Sequence, residues 1–174
     1  MAGTVLHLKL KGLGWADLEI VSEGSGILVP SISYFTDALG DLVRVGMDIA
    51  TGRHFGAAVF DHQPATSVVL AETAWLQDDQ WHSGARLSVA RELPSFFEPT
   101  ADWRASAQRD FIVELKSSDE LARLFLDAAL EVRREYGEEG YQQTWNGAAG
   151  YPRRAVAALE AALSAAPLDV VPYG

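Results

Sequence analysis

The sequence contains no cysteine among its 174 residues. This absence excludes disulfide bonds, thiolate metal sites and cysteine nucleophiles, and it is typical of a protein from a reducing compartment. No apolar run approaches the roughly 20 residues needed to cross a bilayer. Residues 1–11 alternate apolar with polar side chains, unlike a signal segment. We therefore expect a cytoplasmic protein that does not bind membranes.

Positive charge is also scarce. Three lysines and eleven arginines stand against 24 acidic residues, which gives a net charge of −10. Binding to a nucleic-acid backbone requires clustered positive charge, so this balance argues against a nucleic-acid partner. An acidic protein can instead attract a basic protein partner, although acidity can also serve solubility alone.

Local catalytic motifs are missing as well. The four histidines form neither His-Glu-x-x-His nor a Cys/His finger, and Gly24-Ser25-Gly26 does not match the Gly-x-Ser-x-Gly motif. No glycine-rich loop carries the lysine of a phosphate-binding loop. We expect no cofactor and no metal, and any active site would be assembled from residues far apart in the chain.

Alternating side chains near the N-terminus predict a β-hairpin. A three-residue loop at residues 12–14 gives one register in which leucines and an isoleucine meet on one face and opposite charges meet on the other. The predicted pairs are Leu8 with Leu18, Leu6 with Ile20, Lys9 with Asp17 and His7 with Glu19.

A helical period follows over residues 33–50, with Ser33 as the expected N-cap and Thr51-Gly52 as the expected end. Further strands are predicted over residues 53–60, 66–72, 84–91 and 108–116. This order places one helix after the first hairpin and predicts an antiparallel sheet of about six strands.

The C-terminal part is predicted to be helical. Ser117 and Glu120 match a capping box at the start of a long helix. Gly137 and Gly140 are expected to break this helix, and a last helix opens at Pro152. We expect an α+β fold with two to three C-terminal helices packed on one face of the sheet. Residues 1–174 form one predicted domain, with a sheet portion, a helical portion and a loose tail. These portions span residues 4–116, 117–165 and 167–174.

Two groups of residues are candidates for binding a partner. Asp37, Asp41 and Asp48 share one face of the first helix, although a solvated face with Arg44 among them explains the same pattern. The segment 74–82 combines acidic residues with large aromatics, which are enriched in binding hot spots but also cover core edges. Its candidate residues are Trp75, Asp78, Asp79 and Trp81. Together the two groups favour a non-enzymatic, acidic protein-binding module.

An alternative function is that of an enzyme or a small-molecule-binding protein. Its pocket would lie between the sheet and the long loop of residues 92–107, with His54, Asp61, His62 and Trp103 as its residues. A third alternative is an oligomeric subunit joined through the alanine-rich helix 152–165. The sequence leaves the oligomeric state open.

The run Ser33-Tyr34-Phe35-Thr36-Asp37-Ala38-Leu39-Gly40-Asp41-Leu42 resembles the helix motif of a family of uncharacterised bacterial proteins. In that family a Tyr-x-Thr-Asp-Ala-Leu-Gly-Asp-Leu run precedes a set of short strands. The resemblance extends over residues 30–116 in layout and is sharp over these ten residues. The family implies no established activity and therefore no catalytic residues. In composition the chain also resembles immunity proteins that neutralise bacterial toxins, which implies a basic protein partner.

Overall fold

A computed structural model describes residues 3–33, 37–62, 64–94, 100, 103–104, 108–145 and 150–165. Within these residues the chain forms seven antiparallel strands and three helices, so the predicted α+β class is confirmed. In chain order the elements are β1 (Val5–Gly12), β2 (Trp15–Ser22), β3 (Ser25–Ser33), α1 (Ala38–Ala50), β4 (Phe55–Asp61), β5 (Ala65–Gln77), β6 (Gln80–Pro94), β7 (Phe111–Leu115), α2 (Ser118–Trp145) and α3 (Arg153–Ser164).

The strands form two sheets, so the predicted single sheet of about six strands is wrong. β1, β2 and β3 form one sheet, and β4 to β7 form the other, both in chain order. α1 packs on β4, β5 and the two later helices, while α2 packs on β1, β6 and β7. One connected cluster of buried side chains joins both sheets and all three helices.

The register of the first hairpin is confirmed, because all four predicted cross-strand pairs are observed. The loop is tighter than expected. Leu13 and Gly14 form a two-residue turn with positive φ at both residues. A bulge between Leu10 and Gly12 absorbs the extra residue and keeps the predicted register.

The strand that the sequence pattern missed is β3. Its Ile27 and Val29 side chains are buried, but it contains Pro30 and begins within Gly24-Ser25-Gly26, and glycine, serine and proline are typical of turns. The turn is confined to Glu23 and Gly24, which connect β2 to β3. Proline cannot donate to a strand ladder and is tolerated on edge strands. β3 is one of the two edge strands of its sheet, which explains why it accommodates Pro30.

α1 begins at Ala38, so the predicted N-cap at Ser33 is wrong. Ser33 ends β3 instead, and Asp37 caps the helix by accepting a 3.2 Å hydrogen bond from the Gly40 backbone N–H. Residues 34–36 of the resemblance motif lie outside the described residues. Of the apolar stripe predicted for this helix, Ala50 is half-buried, Phe35 lies outside the described residues, and the other members are buried, namely Leu39, Leu42, Val43, Gly46 and Ile49.

β5 and β6 are longer than predicted, because the segment 74–82 is not a loop but the closed end of their hairpin. Its tryptophans are strong strand formers, and they extend the ladder to the turn. Residues 92–94 of the predicted 92–107 loop belong to β6. Within the rest of that loop, the Trp103 backbone N–H donates a 3.2 Å hydrogen bond to the Thr100 hydroxyl.

α2 begins with the predicted cap. The Ser117 hydroxyl accepts a 3.1 Å hydrogen bond from the Glu120 N–H, while the Glu120 carboxylate accepts from the Lys116 N–H at 2.8 Å. Gly137, with φ 68° and ψ 170°, kinks the helix as predicted. Gly140 lies within the helical turns that follow, so the predicted second break is wrong.

α3 follows Pro152 as predicted, and the tail from residue 166 onward lies outside the described residues. Close packing among the helices depends on Gly46 of α1. A Cβ added there would lie 2.8 Å from Leu159 Cδ2 and 3.0 Å from Phe125 Cβ. Within the described part of the chain, no helix is long and apolar enough to cross a membrane.

Candidate functional site

The β5–β6 hairpin projects beyond the rest of its sheet. The pairing of β4 with β5 ends at Glu72, and the pairing of β6 with β7 ends at Ala85. Residues 73–84 therefore continue as a two-stranded ribbon, of which residues 77–84 are exposed. We refer to residues 73–84 as the ribbon.

Asp78 and Asp79 form the two-residue turn at the tip of the ribbon. Their φ angles are 50° and 60°, and Gln77 pairs with Gln80 on either side of them. Two successive left-handed residues are the mark of a type I′ turn, whose twist matches that of the strands. Aspartate tolerates this conformation better than most non-glycine residues. The turn therefore holds two carboxylates side by side at the outermost point of the hairpin.

Trp75 anchors the base of the ribbon. Its side chain is only 7% exposed, and its ring stacks on the His82 ring with 5.9 Å between centroids. The Arg86 guanidinium lies 4.3 Å from the centroid of the Trp75 ring and donates two hydrogen bonds, of 2.7 and 3.1 Å, to the Glu72 carboxylate. A Cβ on Gly84 would lie 3.2 Å from the Trp75 ring. These contacts fix the direction in which the ribbon leaves the sheet.

Trp81 has the opposite environment from Trp75. It lies two residues after the Asp78-Asp79 turn and is 76% exposed. An indole ring offers a large apolar surface, one N–H donor and few rotatable bonds, so it can be buried by a partner at low entropic cost. The structure thus presents three of the four candidate residues of this segment to solvent, whereas Trp75 is buried at the base of the ribbon.

The carboxylates predicted on the first helix are paired with arginines. The Arg44 guanidinium lies 3.1 Å from Asp41 and 3.9 Å from Asp48, and the Arg53 guanidinium lies 3.4 Å from Asp48. This arrangement corresponds to the ion-paired, solvated helix face that the sequence left open as the alternative interpretation.

Asp37 is distant from the ribbon. The base of the ribbon contacts His54, because the Thr73 N–H donates a 2.9 Å hydrogen bond to the His54 carbonyl. The 13 residues of α1 separate Asp37 from the segment that contains His54, and this helix is about 20 Å long at 1.5 Å per residue. Burial raises the pKa of the Asp37 carboxyl, while its hydrogen bond from Gly40 opposes that rise. Asp37 therefore lies at the end of α1 that is remote from His54 and the ribbon base.

The residues proposed for the alternative small-molecule site do not converge. His54 precedes β4 and lies 3.4 Å from the Thr73 hydroxyl, whereas Asp61 and His62 lie at the other end of this strand. Seven strand residues span about 23 Å. His62 contacts the Ser67 hydroxyl at 2.9 Å. Within the described ranges, no three histidine, aspartate or glutamate residues are grouped so that they could hold a metal ion.

Trp103 and Phe55 each carry an arginine against their rings. The Arg109 guanidinium lies 4.7 Å from the centroid of the Trp103 ring, and the Arg104 guanidinium lies 3.6 Å from that of Phe55. Burial lowers the pKa of Arg109. Arg104, in the described part of the 92–107 loop, therefore contacts β4 through the Phe55 ring.

Sequence reasoning missed a histidine–carboxylate pair between β1 and α2. The His7 Nδ1 atom lies 2.6 Å from a Glu131 carboxylate oxygen, beside a cleft of about 360 Å³ that Thr4, Asp127 and Arg134 also line. The two residues are 124 positions apart, so no local motif could have revealed the pair.

Comparison of this chain with protein-family models, with curated proteins and with solved structures finds no match. The resemblance to a bacterial family therefore stays a prediction, and function has to be argued from the geometry alone.

Proposed function

We propose that this protein is a non-enzymatic binding module that recognises a basic protein partner through the tip of the ribbon. The observation that carries the proposal is Trp81, which is three-quarters exposed at the end of a rigidly anchored hairpin and has two carboxylates beside it. A large exposed aromatic with adjacent charge is the residue pattern of an interface hot spot.

Charge supports a cationic partner. The chain carries a net charge of −10, and Asp78 and Asp79 place two negative charges at the tip of the ribbon. Complementary charge increases the rate of association, and carboxylates at the rim accept hydrogen bonds from lysine and arginine. A basic toxin neutralised by an immunity-like protein is one partner of this chemistry, and the composition of the chain favours it.

The anchoring of the ribbon supports recognition without rearrangement. Trp75 contacts both His82 and Arg86, and Arg86 donates hydrogen bonds to Glu72. A pre-organised hairpin loses little conformational entropy when it binds, so more of the contact energy contributes to affinity. Trp81 can then enter an apolar pocket of the partner while the two aspartates meet basic residues around it.

Photo-crosslinking from the ribbon tip tests this proposal. Position 81 carries a photoreactive phenylalanine, and the protein is irradiated in extract of its native host at low and at moderate salt. We expect one basic protein to be captured in stoichiometric amount, with a yield that falls as salt rises. Trp81→Ala should weaken binding of the purified partner about 30-fold or more, the loss typical of a hot-spot tryptophan.

Trp15 provides the matched control. It is also a partly exposed tryptophan, but it lies on the first sheet. The same photoreactive group at position 15, and the variant Trp15→Ala, should leave capture and affinity unchanged. Equal capture from positions 15 and 81, or the absence of a stoichiometric partner at both salt concentrations, would contradict the proposal.

His7 and Glu131 favour a second candidate function, that of a small-molecule-binding protein or hydrolytic enzyme. A carboxylate on Nδ1 fixes the histidine tautomer and leaves Nε2 able to accept a proton, which is the arrangement of a general base. A thermal-shift screen of small metabolites would test it. A ligand that stabilises the wild type but not His7→Gln would support this candidate, and stabilisation of both proteins alike would count against it.

A further inference from the structure

A cleft of about 350 Å³ lies at the base of the ribbon. Three parts of the chain enclose it, namely the two ribbon strands, the end of α1 with the loop that follows it, and the start of α2. The lining residues on which its chemistry depends are Thr73, Gly84, Arg53, His54, Lys116 and Ser118. We refer to this site as the basal cleft.

The basal cleft is basic, although the chain as a whole is acidic. Among the described residues that line it, Arg53, His54 and Lys116 can carry positive charge and none can carry negative charge. Asp48 lies 3.4 Å from the Arg53 guanidinium and compensates that charge. Lys116 is exposed, and its Nζ atom forms no ion pair with any described residue. Lys116 therefore supplies the uncompensated positive charge of the cleft.

The basal cleft and Trp81 lie on the same side of the ribbon. The Trp75 ring contacts the Arg86 guanidinium, so these two side chains share a face. Leu87, the residue after Arg86, lies in the core shared with the helices, so the Arg86 face is the one turned away from the helices. Leu76 and Trp81 form the next cross-strand pair after that of Trp75 and therefore lie on the helix side, where the start of α2 lines the cleft.

Charge and polarity change in a fixed order along this side of the ribbon. Lys116 stands at the base, Leu76 and Trp81 form an apolar pair further along, and the two aspartates of the turn stand at the tip. Thr73 of the cleft and Asp78 of the turn are five positions apart on one strand, which is about 17 Å at 3.4 Å per residue. A partner that covers this side meets a positive, an apolar and a negative region in that order.

We propose that the basic partner also contributes a carboxylate, which enters the basal cleft and lies about 17 Å from the basic residues that meet the ribbon tip. This inference rests on the proposed function, which supplies the partner. The carboxylate belongs to an aspartate, a glutamate or the C-terminus of the partner, and it accepts hydrogen bonds from the Lys116 ammonium and from the hydroxyls of Thr73 and Ser118.

Opposite charges at the two ends of the ribbon fix the direction in which the partner binds. In the reversed direction, basic groups would meet Lys116 and the carboxylate would meet the two aspartates, and such like-charge contacts are costly. The basal cleft therefore selects this partner among basic proteins, whereas the acidic tip alone would accept many of them.

The sign of a charge-reversal effect tests this inference, with the partner captured from position 81. Lys116→Glu makes the protein more acidic, and this change alone strengthens long-range attraction to a basic partner. A carboxylate in the basal cleft predicts the opposite result, because like charges would then meet there. We expect the dissociation constant, measured by titration calorimetry, to rise about tenfold. Lys116→Arg keeps the charge and should bind as the wild type does.

Lys11→Glu provides the matched control. Lys11 is also an exposed lysine, but it lies beside the first hairpin turn, where the Gly14 N–H donates a 3.1 Å hydrogen bond to the Thr144 carbonyl near the end of α2. Lys116 precedes the start of the same helix. Both variants change the net charge equally, so we expect Lys11→Glu to leave the dissociation constant unchanged or to lower it.

The outcomes separate this inference from the proposed function. If Trp81→Ala weakens binding but Lys116→Glu leaves it unchanged or tightens it, the carboxylate in the basal cleft is overturned and the proposed function stands. Equal weakening by Lys116→Glu and Lys11→Glu also overturns the inference, because the effect would then not depend on the cleft. If position 81 captures no partner, both proposals are overturned together.

Discussion

The Glu72 carboxylate and the Arg86 guanidinium form an ion pair that is almost completely removed from water, with the two residues 2% and 8% exposed. Removing one partner from such a pair leaves an uncompensated buried charge. We expect Glu72→Gln, which keeps the shape but removes the charge, to lower the free energy of unfolding by about 3–5 kcal/mol. Urea denaturation followed by tryptophan fluorescence measures this loss.

The matched control is the exposed pair of Glu138 and Arg153, which link the end of α2 to the start of α3. Exposed pairs are screened by solvent, so Glu138→Gln should lower the free energy of unfolding far less than Glu72→Gln does. Equal losses from the two variants would show that burial does not set the strength of the Glu72–Arg86 pair.

Asp37 makes stability depend on pH in the direction opposite to most carboxylates. Burial raises its pKa above the ordinary value of 3.8, so in the folded state it keeps its proton to higher pH than in the unfolded state. The contribution of Asp37 to stability therefore falls as pH rises through the window above 3.8. Asparagine caps a helix as well as aspartate but does not titrate.

We accordingly expect the unfolding free energy of Asp37→Asn, relative to the wild type, to increase as pH is raised from below 3.8 to neutrality. Denaturation curves of both proteins across this range provide the measurement. A relative free energy that stays constant or decreases with rising pH would mean that burial does not control this carboxyl.

Among the elements, hairpin register was predictable and sheet membership was not. Leu8 and Leu18 are ten residues apart, and both faces of their strands restrict the pairing. β3 was hidden because Pro30 argues against a strand unless the strand is known to be an edge. Edge position depends on the whole fold, so no local pattern could supply it.

The kink of α2 depends on Gly137. Its φ of 68° and ψ of 170° lie in a region that only glycine occupies readily, and nothing lies within 4 Å of the place of a Cβ. Gly137→Ala should therefore cost about 1–3 kcal/mol through backbone strain alone. Thermal unfolding followed by circular dichroism measures it.

Gly140 offers a control three residues further along the same helix. A Cβ there meets only the Tyr136 Cβ, at 3.7 Å, which is an ordinary contact. Gly140→Ala should be neutral, or stabilising by up to about 1 kcal/mol, because alanine favours helix. A loss of stability for Gly140→Ala as large as that for Gly137→Ala would contradict the assigned origin of the kink.

At the scale of the molecule, the candidate site was predictable only in part. Composition drew attention to Trp81, Asp78 and Asp79, and the structure leaves all three exposed. The role of Trp75 depends on Arg86, eleven residues later, and the His7–Glu131 pair joins residues that are 124 positions apart. One sequence shows residue types, but only the fold shows which of them meet.

Net charge acts on the whole molecule at once. A charge of −10 repels itself in the compact state, and this repulsion opposes folding. Salt screens it, because the Debye length falls from about 30 Å at 0.01 M to about 8 Å at 0.15 M. The same salt also weakens the surface ion pairs, such as those of Lys9 with Glu19 and Arg44 with Asp41, but solvent already screens these pairs and each contributes little to stability. We therefore expect the urea midpoint of unfolding to rise with sodium chloride over this range. A midpoint that falls instead would mean that the surface ion pairs, rather than the repulsion, dominate the electrostatics of this fold.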